Sequence, residues 1–249
     1  QLIYLKRLLF EKKINKEFDV FFYSKKEDPK KINSPDKYHS ADPFLVINHN
    51  DNYVFFEEYD KNKGHISLIK LTKNSSKYLG KLIDENFHLS FPFILKDRER
   101  FFMIPESCND KSLRLYESKR FPFDWEFKMK LLQGVDLADS IIIRSRGIYF
   151  ILTSERLEGY HNYYKIFYSN NIESTNWKPH KLNPIMINRY SRNAGLINNN
   201  ILIFQQYNFN DYGNGIRLFK IKKLTKDDFE ILEIDKNHFI KHDTKDTHH

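Results

Sequence analysis

The chain has 249 residues, of which 16% are aromatic and only three are alanine (Ala41, Ala138 and Ala194), with 41 Lys+Arg against 33 Asp+Glu and a formal charge of +8. So little Ala beside so much Phe and Tyr excludes an Ala-rich helical bundle or doubly wound fold and points to β-structure. The aromatic content excludes a disordered chain, and the length suits one β-domain over 1–249. No window approaches 18 uninterrupted apolar residues, so no transmembrane helix is expected. The lone cysteine, Cys108, rules out an internal disulfide and a Cys-cluster zinc site; it fits a reducing, cytoplasmic setting. Acidic residues are interspersed with the basic ones, and there is no Arg-rich tract or nucleic-acid motif. The charge therefore reads mostly as a solvated Lys surface, with a basic functional face as the alternative and no nucleic-acid partner.

Residues 1–10 (QLIYLKRLLF) are apolar and basic but lack an h-region and a cleavage site, so they do not read as a signal peptide. A start at Gln1 without Met is expected of a trimmed or excised piece. Residues 19–23 (DVFFY) predict a strand. Four units then begin alike: Ser40-Ala41-Asp42-Pro43-Phe44-Leu45, Leu89-Ser90-Phe91-Pro92-Phe93-Ile94, Leu137-Ala138-Asp139-Ser140-Ile141-Ile142 and Arg192-Asn193-Ala194-Gly195-Leu196-Ile197. A polar turn follows each, at 48–52, 96–100, 144–147 and 198–200. Second strands are predicted at 53–58 (YVFFEE), 101–106 (FFMIPE), 149–154 (YFILTS) and 201–206 (ILIFQQ). Third strands follow at 65–71, 112–118, 163–169 and 215–221, and a more polar fourth stretch closes the unit, as at 125–132 and 177–182. The second strands end at Glu58, Glu106, Ser154 and Gln206, in steps of 48, 48 and 52.

A period near 50 with four short strands per unit predicts a β-propeller. The blades fall at about 40–84, 88–134, 137–184 and 189–234. A fifth, from 15–24 plus 235–249, would close the ring with both termini and remove free edges, giving an all-β, five-bladed propeller. A β-sandwich of similar strand count is the alternative, disfavoured by the repeat.

Starts of first strands and ends of second strands adjoin in a hairpin, so they gather at one mouth of the channel. That places Asp42, Glu57, Glu58, Pro105, Glu106, Asp139, Ser154, Glu155, Arg192, Asn193, Gln205 and Gln206 there. Stacking needs the apolar positions but nothing in packing demands Asp or Glu, so carboxylates from three blades point to acid/base or charge-stabilising chemistry. Capping of a turn by Asp42 and solvated strand-end charges at Glu57 and Glu58 are the structural alternative. His65 and His88 lie near strand starts and suit hydroxyl or phosphate recognition as well as ordinary turn roles. No spacing signals a metal site or cofactor. Cys108 reads as a small buried thiol, with a Cys–His nucleophile pair the lesser alternative. Trp125 and Trp177 occupy equivalent places and read as blade-packing residues.

The run resembles five-bladed carbohydrate-active propellers of the arabinanase, β-xylosidase and invertase groups. More specifically it resembles the domain named for the N-terminal part of glucosamine inositolphosphorylceramide transferase. The motifs carrying the likeness are Ala41-Asp42-Pro43-Phe44, Phe55-Phe56-Glu57-Glu58, Gly64-His65-Ile66, His88-Leu89-Ser90 with Pro92-Phe93, Ile104-Pro105-Glu106-Ser107, Asp139-Ser140, Arg192 with Ala194-Gly195, Gln206, and Tyr212-Gly213, over about 37–229. The terminal Asp246-Thr247-His248-His249 resembles the element that ends the family's last blade. The resemblance implies a catalytic Asp42, matching the hydrolases' base, and Asp139, matching their auxiliary Asp. Where those hydrolases carry a general acid Glu, this chain has Arg192-Asn193-Ala194-Gly195, which argues against hydrolysis. A phosphate leaving group needs no full protonation, and Arg192 suits it.

The expectation is thus a glycosyltransferase of bacterial surface-polysaccharide or glycolipid assembly. It would use a sugar-phosphate or nucleotide-sugar donor and a glycan or glycolipid acceptor. Peripheral membrane contact and a flanking enzymatic domain are compatible with it. Asp42, Glu106 and Asp139 would be catalytic; Glu57, Glu58, His65, His88, Arg192, Gln206, Tyr212 and His248 would bind substrate. A glycoside hydrolase acting on furanosides and a non-catalytic glycan-binding or scaffolding propeller are the alternatives.

Overall fold

The computed structural model describes residues 21–24, 27–32, 35, 39–60, 62–72, 75–157, 161–187, 192–197, 202–207 and 215–234. Strands β1 (Phe21–Ser24) and β2 (Glu27–Lys31) form a small antiparallel pair. Four antiparallel sheets follow. The first is β3 (His39–Asn48), β4 (Asp51–Tyr59), β5 (Gly64–Leu71) and β6 (Ser76–Ile83). The second is β7 (Ser90–Asp97), β8 (Arg100–Glu106), β9 (Ser112–Arg120) and β10 (Phe123–Gln133), with a 3-10 turn at Cys108–Asp110. The third is β11 (Leu137–Ser145), β12 (Ile148–Leu157) and β13 (His161–Ser169), with the short β14 (Lys178–Pro179) and β15 (Met186–Ile187) both on β13. Pro179 and Pro184 supply no N–H, so the outer strand of this sheet is broken in two. The fourth is β16 (Asn193–Ile197), β17 (Leu202–Tyr207), β18 (Gly215–Leu224) and β19 (Phe229–Glu233).

Each sheet is a meander whose first strand touches the first strand of the next, β3 to β7 to β11 to β16. The result is an all-β, four-bladed propeller-like arrangement among the described residues. The expected fifth blade is not found there. The predicted strand at 19–23 becomes β1, but its partner is the adjacent β2, a local hairpin, and the other half of that blade, 235–249, lies outside the described residues. No helix of the described residues is long and apolar enough to cross a membrane.

Aromatic and β-branched side chains fill the spaces between blades. Tyr53, Phe55, Ile66 and Leu68 pack on Leu89, Met103 and Tyr116 of the second blade, with Phe121 and Trp125 against them. The ring of Trp125 meets Phe55 edge-on at 5.8 Å, and Trp177 is buried among the apolar residues of the third blade, as expected of packing tryptophans. Phe91, Phe102, Ile104, Ile142, Phe150, Tyr164 and Ile203 bind the second, third and fourth blades into one core. Each such side chain contributes roughly 1.5–3 kcal/mol on burial.

The blade starts share one backbone device. Asp42, Phe91 and Asp139 occupy the left-handed region, with φ of +48°, +45° and +50°. Each sits in a β-bulge, between Ala41 and Phe44, Ser90 and Phe93, and Ala138 and Ile141. The fourth blade is interrupted between Asn193 and Gly195, and there the positive φ, +143°, falls on a glycine. Bulges bend a strand and re-aim a side chain. A non-glycine residue there costs about 1–3 kcal/mol, and such strain gathers at functional sites.

Candidate functional site

The register decides which strand-end residues face the channel. Glu57 lies opposite Ala41 and Glu106 opposite Ser90, so Glu57, not Glu58, is the counterpart of Glu106. Alternation puts neighbours on opposite faces. Glu57 continues the row of Tyr53 and Phe55 toward the second blade; Glu58 continues the row of Val54 and Phe56, which packs on Ile32.

Three of the four channel carboxylates are tied into the ring. Asp42 Oδ2 accepts the backbone N–H of Phe91 at 3.1 Å, so the first blade satisfies the strained residue of the second. Glu106 Oε2 likewise accepts the N–H of Asp139 at 3.1 Å, and Arg156 donates to Glu106 Oε1. Asp139, 1% exposed, receives Arg192 at both oxygens, Nε to Oδ2 at 2.6 Å and Nη2 to Oδ1 at 3.1 Å. Gln206 Nε2 adds a bond to Asp139 Oδ2 at 3.0 Å. Asn193 Nδ2 donates to the Asp139 carbonyl at 2.7 Å and to that of Leu152 at 3.0 Å. Arg192 Nη2 also lies 3.7 Å from Glu106 Oε2.

Glu57 is held differently. Its described polar partner is His88, whose Nε2 is 3.3 Å from Glu57 Oε1, while the Gly64 N–H donates to His88 Nδ1 at 2.8 Å. Gly64 is glycine because of this packing: a Cβ would sit 2.5 Å from the Leu89 carbonyl and 2.7 Å from Glu57 Oε1.

Burial and the crowding of like charge set the electrostatics. Burial raises Glu57 well above the usual carboxylate range, and the charges of Asp42, Glu106 and Asp139 push it further. Burial also raises Glu106, with Asp139 and Asp42 adding to it and Arg192 and Arg156 opposing. Burial lowers His88 below the ordinary imidazole value, although Glu106 and Asp42 oppose that. Glu57 thus feels the charges of Asp42, Glu106 and Asp139, and Glu106 those of Asp139 and Asp42.

Glu58 and His65 lie apart from it, both fully buried within the first blade. Glu58 Oε2 takes Ser67 Oγ at 2.5 Å, Tyr78 OH at 2.7 Å and His65 Nε2 at 3.0 Å. Burial pushes Glu58 up, but these hydrogen bonds outweigh it and hold Glu58 below its ordinary value. Tyr212 and His248 lie outside the described residues. Among the described residues no group of three or more His, Cys, Asp or Glu is placed to hold a metal ion. Cys108 is buried with its thiol pushed up to about 11 by burial and by Glu106, which makes it a poor nucleophile.

Arg156 is the residue that the sequence reading missed. It stands two positions beyond Ser154 on the same side of β12, and its guanidinium meets Glu106 and, at 3.2 Å, Cys108 Sγ. The signal was available in strand alternation, had β12 been extended past Ser154.

Comparison with known proteins agrees with this architecture. Residues 27–249 match the family model described as "Glucosamine inositolphosphorylceramide transferase 1, N-terminal". Glucosamine inositolphosphorylceramide transferase 1 of Arabidopsis thaliana is 33% identical over 208 residues, covering 78% of this chain and 27% of the relative. The protein of the same name from Oryza sativa subsp. japonica is 31% identical over 211 residues, covering 78% and 28%. The chain therefore spans little more than a quarter of the length of these curated relatives. Among solved structures, an exo-β-1,3-galactanase from Clostridium thermocellum superposes with a TM-score of 0.63 at 12% identity, covering 86% of this chain and 55% of that one. A thermostable family-43 glycoside hydrolase gives 0.60 at 12% identity, covering 86% and 85%. A family 117 glycoside hydrolase from Zobellia galactanivorans gives 0.55 at 12% identity, covering 78% and 69%. At these identities the structural likeness is one of fold.

Proposed function

The chain belongs to the family of the N-terminal region of glucosamine inositolphosphorylceramide transferase 1, and on that premise we propose that it is a carbohydrate-active propeller that transfers a glycosyl group. The donor is a sugar phosphate or nucleotide sugar and the acceptor a glycan or glycolipid, in the assembly of a bacterial surface polysaccharide or glycolipid. The observation that carries this reading is the convergence of Asp42, Glu57, Glu106 and Asp139 on one mouth, with Arg192 and Arg156 beside them. Three of these carboxylates also satisfy donors of the ring, but four gathered together suit a developing positive charge at a sugar carbon.

In this reading Asp42 takes the proton of the acceptor hydroxyl or stabilises the oxocarbenium-like centre. Glu106 and Asp139 supply negative field, and Glu106 also holds the strained start of the third blade. Arg156, its side chain 41% exposed, and Arg192 present guanidinium edges to a phosphate. The test is product analysis of the purified chain with nucleotide sugars and glycosyl phosphates, with and without glycan or glycolipid acceptors. Acceptor-dependent glycoside supports transfer; free sugar at the same rate with and without acceptor means hydrolysis.

The coverage of the relatives favours a second reading. A propeller matching only a quarter of a transferase would hold a glycan for catalytic machinery elsewhere. Glycan binding without turnover of any donor would select it.

A further inference from the structure

We propose that Glu57 is the proton donor of this site, with the neutral imidazole of His88 fixing which of its oxygens carries the proton. The inference rests on the transfer reading above and adds a residue that the family's hydrolase-like pattern does not place here.

The argument starts from occupancy. Both oxygens of Glu106 and both of Asp139 are engaged by Arg156, Arg192, Gln206 or a backbone N–H. Asp42 is occupied in holding Phe91. Glu57 has an oxygen, Oε2, without a partner among the described residues, and that oxygen is not sealed from solvent. Its side chain is 13% exposed, enough to meet a ligand in the channel.

Hydrogen-bond roles then place the proton. The Gly64 N–H can only donate, so His88 Nδ1 accepts and the ring's one proton sits on Nε2. Nε2–H therefore sits 3.3 Å from Glu57 Oε1. A donor N–H beside Oε1 disfavours a proton there, so the acid proton belongs on Oε2, the oxygen that is not sealed from solvent. The groups surrounding this carboxyl keep it protonated: Asp42 on β3, Glu106 on β8 and Asp139 on β11 all repel a charge there, while among the described residues no Arg or Lys is paired with it. Arg156 on β12 acts on His88 and disfavours a second proton on that ring.

The step balances as follows. The bond from the sugar carbon to the leaving oxygen breaks with its electron pair on oxygen, and that oxygen takes the Oε2 proton of Glu57. The acceptor hydroxyl oxygen forms the new bond to the sugar carbon and gives its proton to Asp42. Solvent returns a proton to Glu57 and removes one from Asp42.

Infrared difference spectra across pH, with wild type against Glu57→Gln, test the proton directly. A protonated-carboxyl C=O band at neutral pH that is missing in Glu57→Gln is expected. In His88→Ala that band moves to higher frequency, because its carbonyl loses the polar N–H beside it. A Glu57 that is fully ionised at neutral pH overturns the proposal. The chemical role is read with phenyl, 4-nitrophenyl and 2,4-dinitrophenyl glycosides beside glycosyl phosphates, with melting curves confirming the fold of each variant. Glu57→Gln should lose about 10²–10⁴-fold on the phenyl glycosides and less than about tenfold on the dinitrophenyl ones. A loss equal across leaving groups overturns the donor role while leaving transfer intact. A wild-type chain that turns over no donor overturns the transfer reading itself and the role of Glu57 in it.

Discussion

The guanidinium of Arg192 lies on both oxygens of Asp139, Nε to Oδ2 at 2.6 Å and Nη2 to Oδ1 at 3.1 Å, and so joins the start of the fourth blade to the start of the third. Asp139 is buried, so this pair compensates a charge that would otherwise be costly. Breaking a buried pair by removing one partner costs about 3–5 kcal/mol, because the survivor is left charged and dry. Arg192→Met should therefore lower stability by that order in denaturant unfolding. Arg192→Met with Asp139→Asn should recover most of the loss. Equal unfolding midpoints for wild type and Arg192→Met would show that the pair does not bear on folding.

Gly64 packs where a Cβ has no room, against the Leu89 carbonyl, Glu57 and the His88 ring. Gly64→Ala must push the His88 loop away from β5. Overpacking of this kind costs about 1–3 kcal/mol. Thermal unfolding should show that loss, and any turnover should fall with it because Glu57 and His88 separate. A variant as stable and as active as wild type would mean that the loop yields freely.

Glu57 makes stability depend on pH with a definite sign. Its folded value is raised, so the native chain holds a proton that the unfolded chain has released. Its contribution is fully present below the ordinary Glu value and is lost as pH rises through the raised one. Within that window one such group contributes a slope of up to about 1.4 kcal/mol per pH unit. Glu57→Gln should flatten the fall in stability with rising pH, gaining on wild type toward the alkaline side. Parallel stability curves for the two proteins would contradict the assignment.

Glu58 should behave unlike Glu57 despite being its neighbour. It is buried and bonded by Ser67, Tyr78 and His65, away from the channel. Glu58→Gln should weaken that cluster, with a loss of about 1–3 kcal/mol, and leave the affinity for channel ligands unchanged. Isothermal titration with a glycan that binds wild type checks this; a lost affinity with unchanged stability would put Glu58 in the site.

The repeat was legible in sequence because each blade needs the same local devices. Ala41-Asp42-Pro43-Phe44, Ser90-Phe91-Pro92-Phe93 and Ala138-Asp139-Ser140-Ile141 each encode the same bulge, and the aromatic rows behind them encode the interfaces. What sequence could not give was the face of a strand end. Glu57 and Glu58 are adjacent and chemically alike, and one residue of register sends one to the channel and the other into the blade. Arg156 escaped for a related reason: with the strand ended at Ser154, the alternation that runs on to Leu157 was not followed as far as Arg156. Arg192 was legible as a residue of the blade start, but its pairing with Asp139 joins residues 53 positions apart that only the folded ring brings together.

The central claim is that the channel mouth is a catalytic site, and Asp42→Asn tests it most directly. The substitution keeps the side chain's shape and an oxygen for the Phe91 N–H, so the melting temperature should stay close to that of wild type. Initial rates of acceptor-dependent glycoside formation should fall by about 10²-fold or more, as expected for loss of a general base. Unchanged transfer by a folded Asp42→Asn protein, or glycan binding by the wild type without turnover of any donor, would contradict the account.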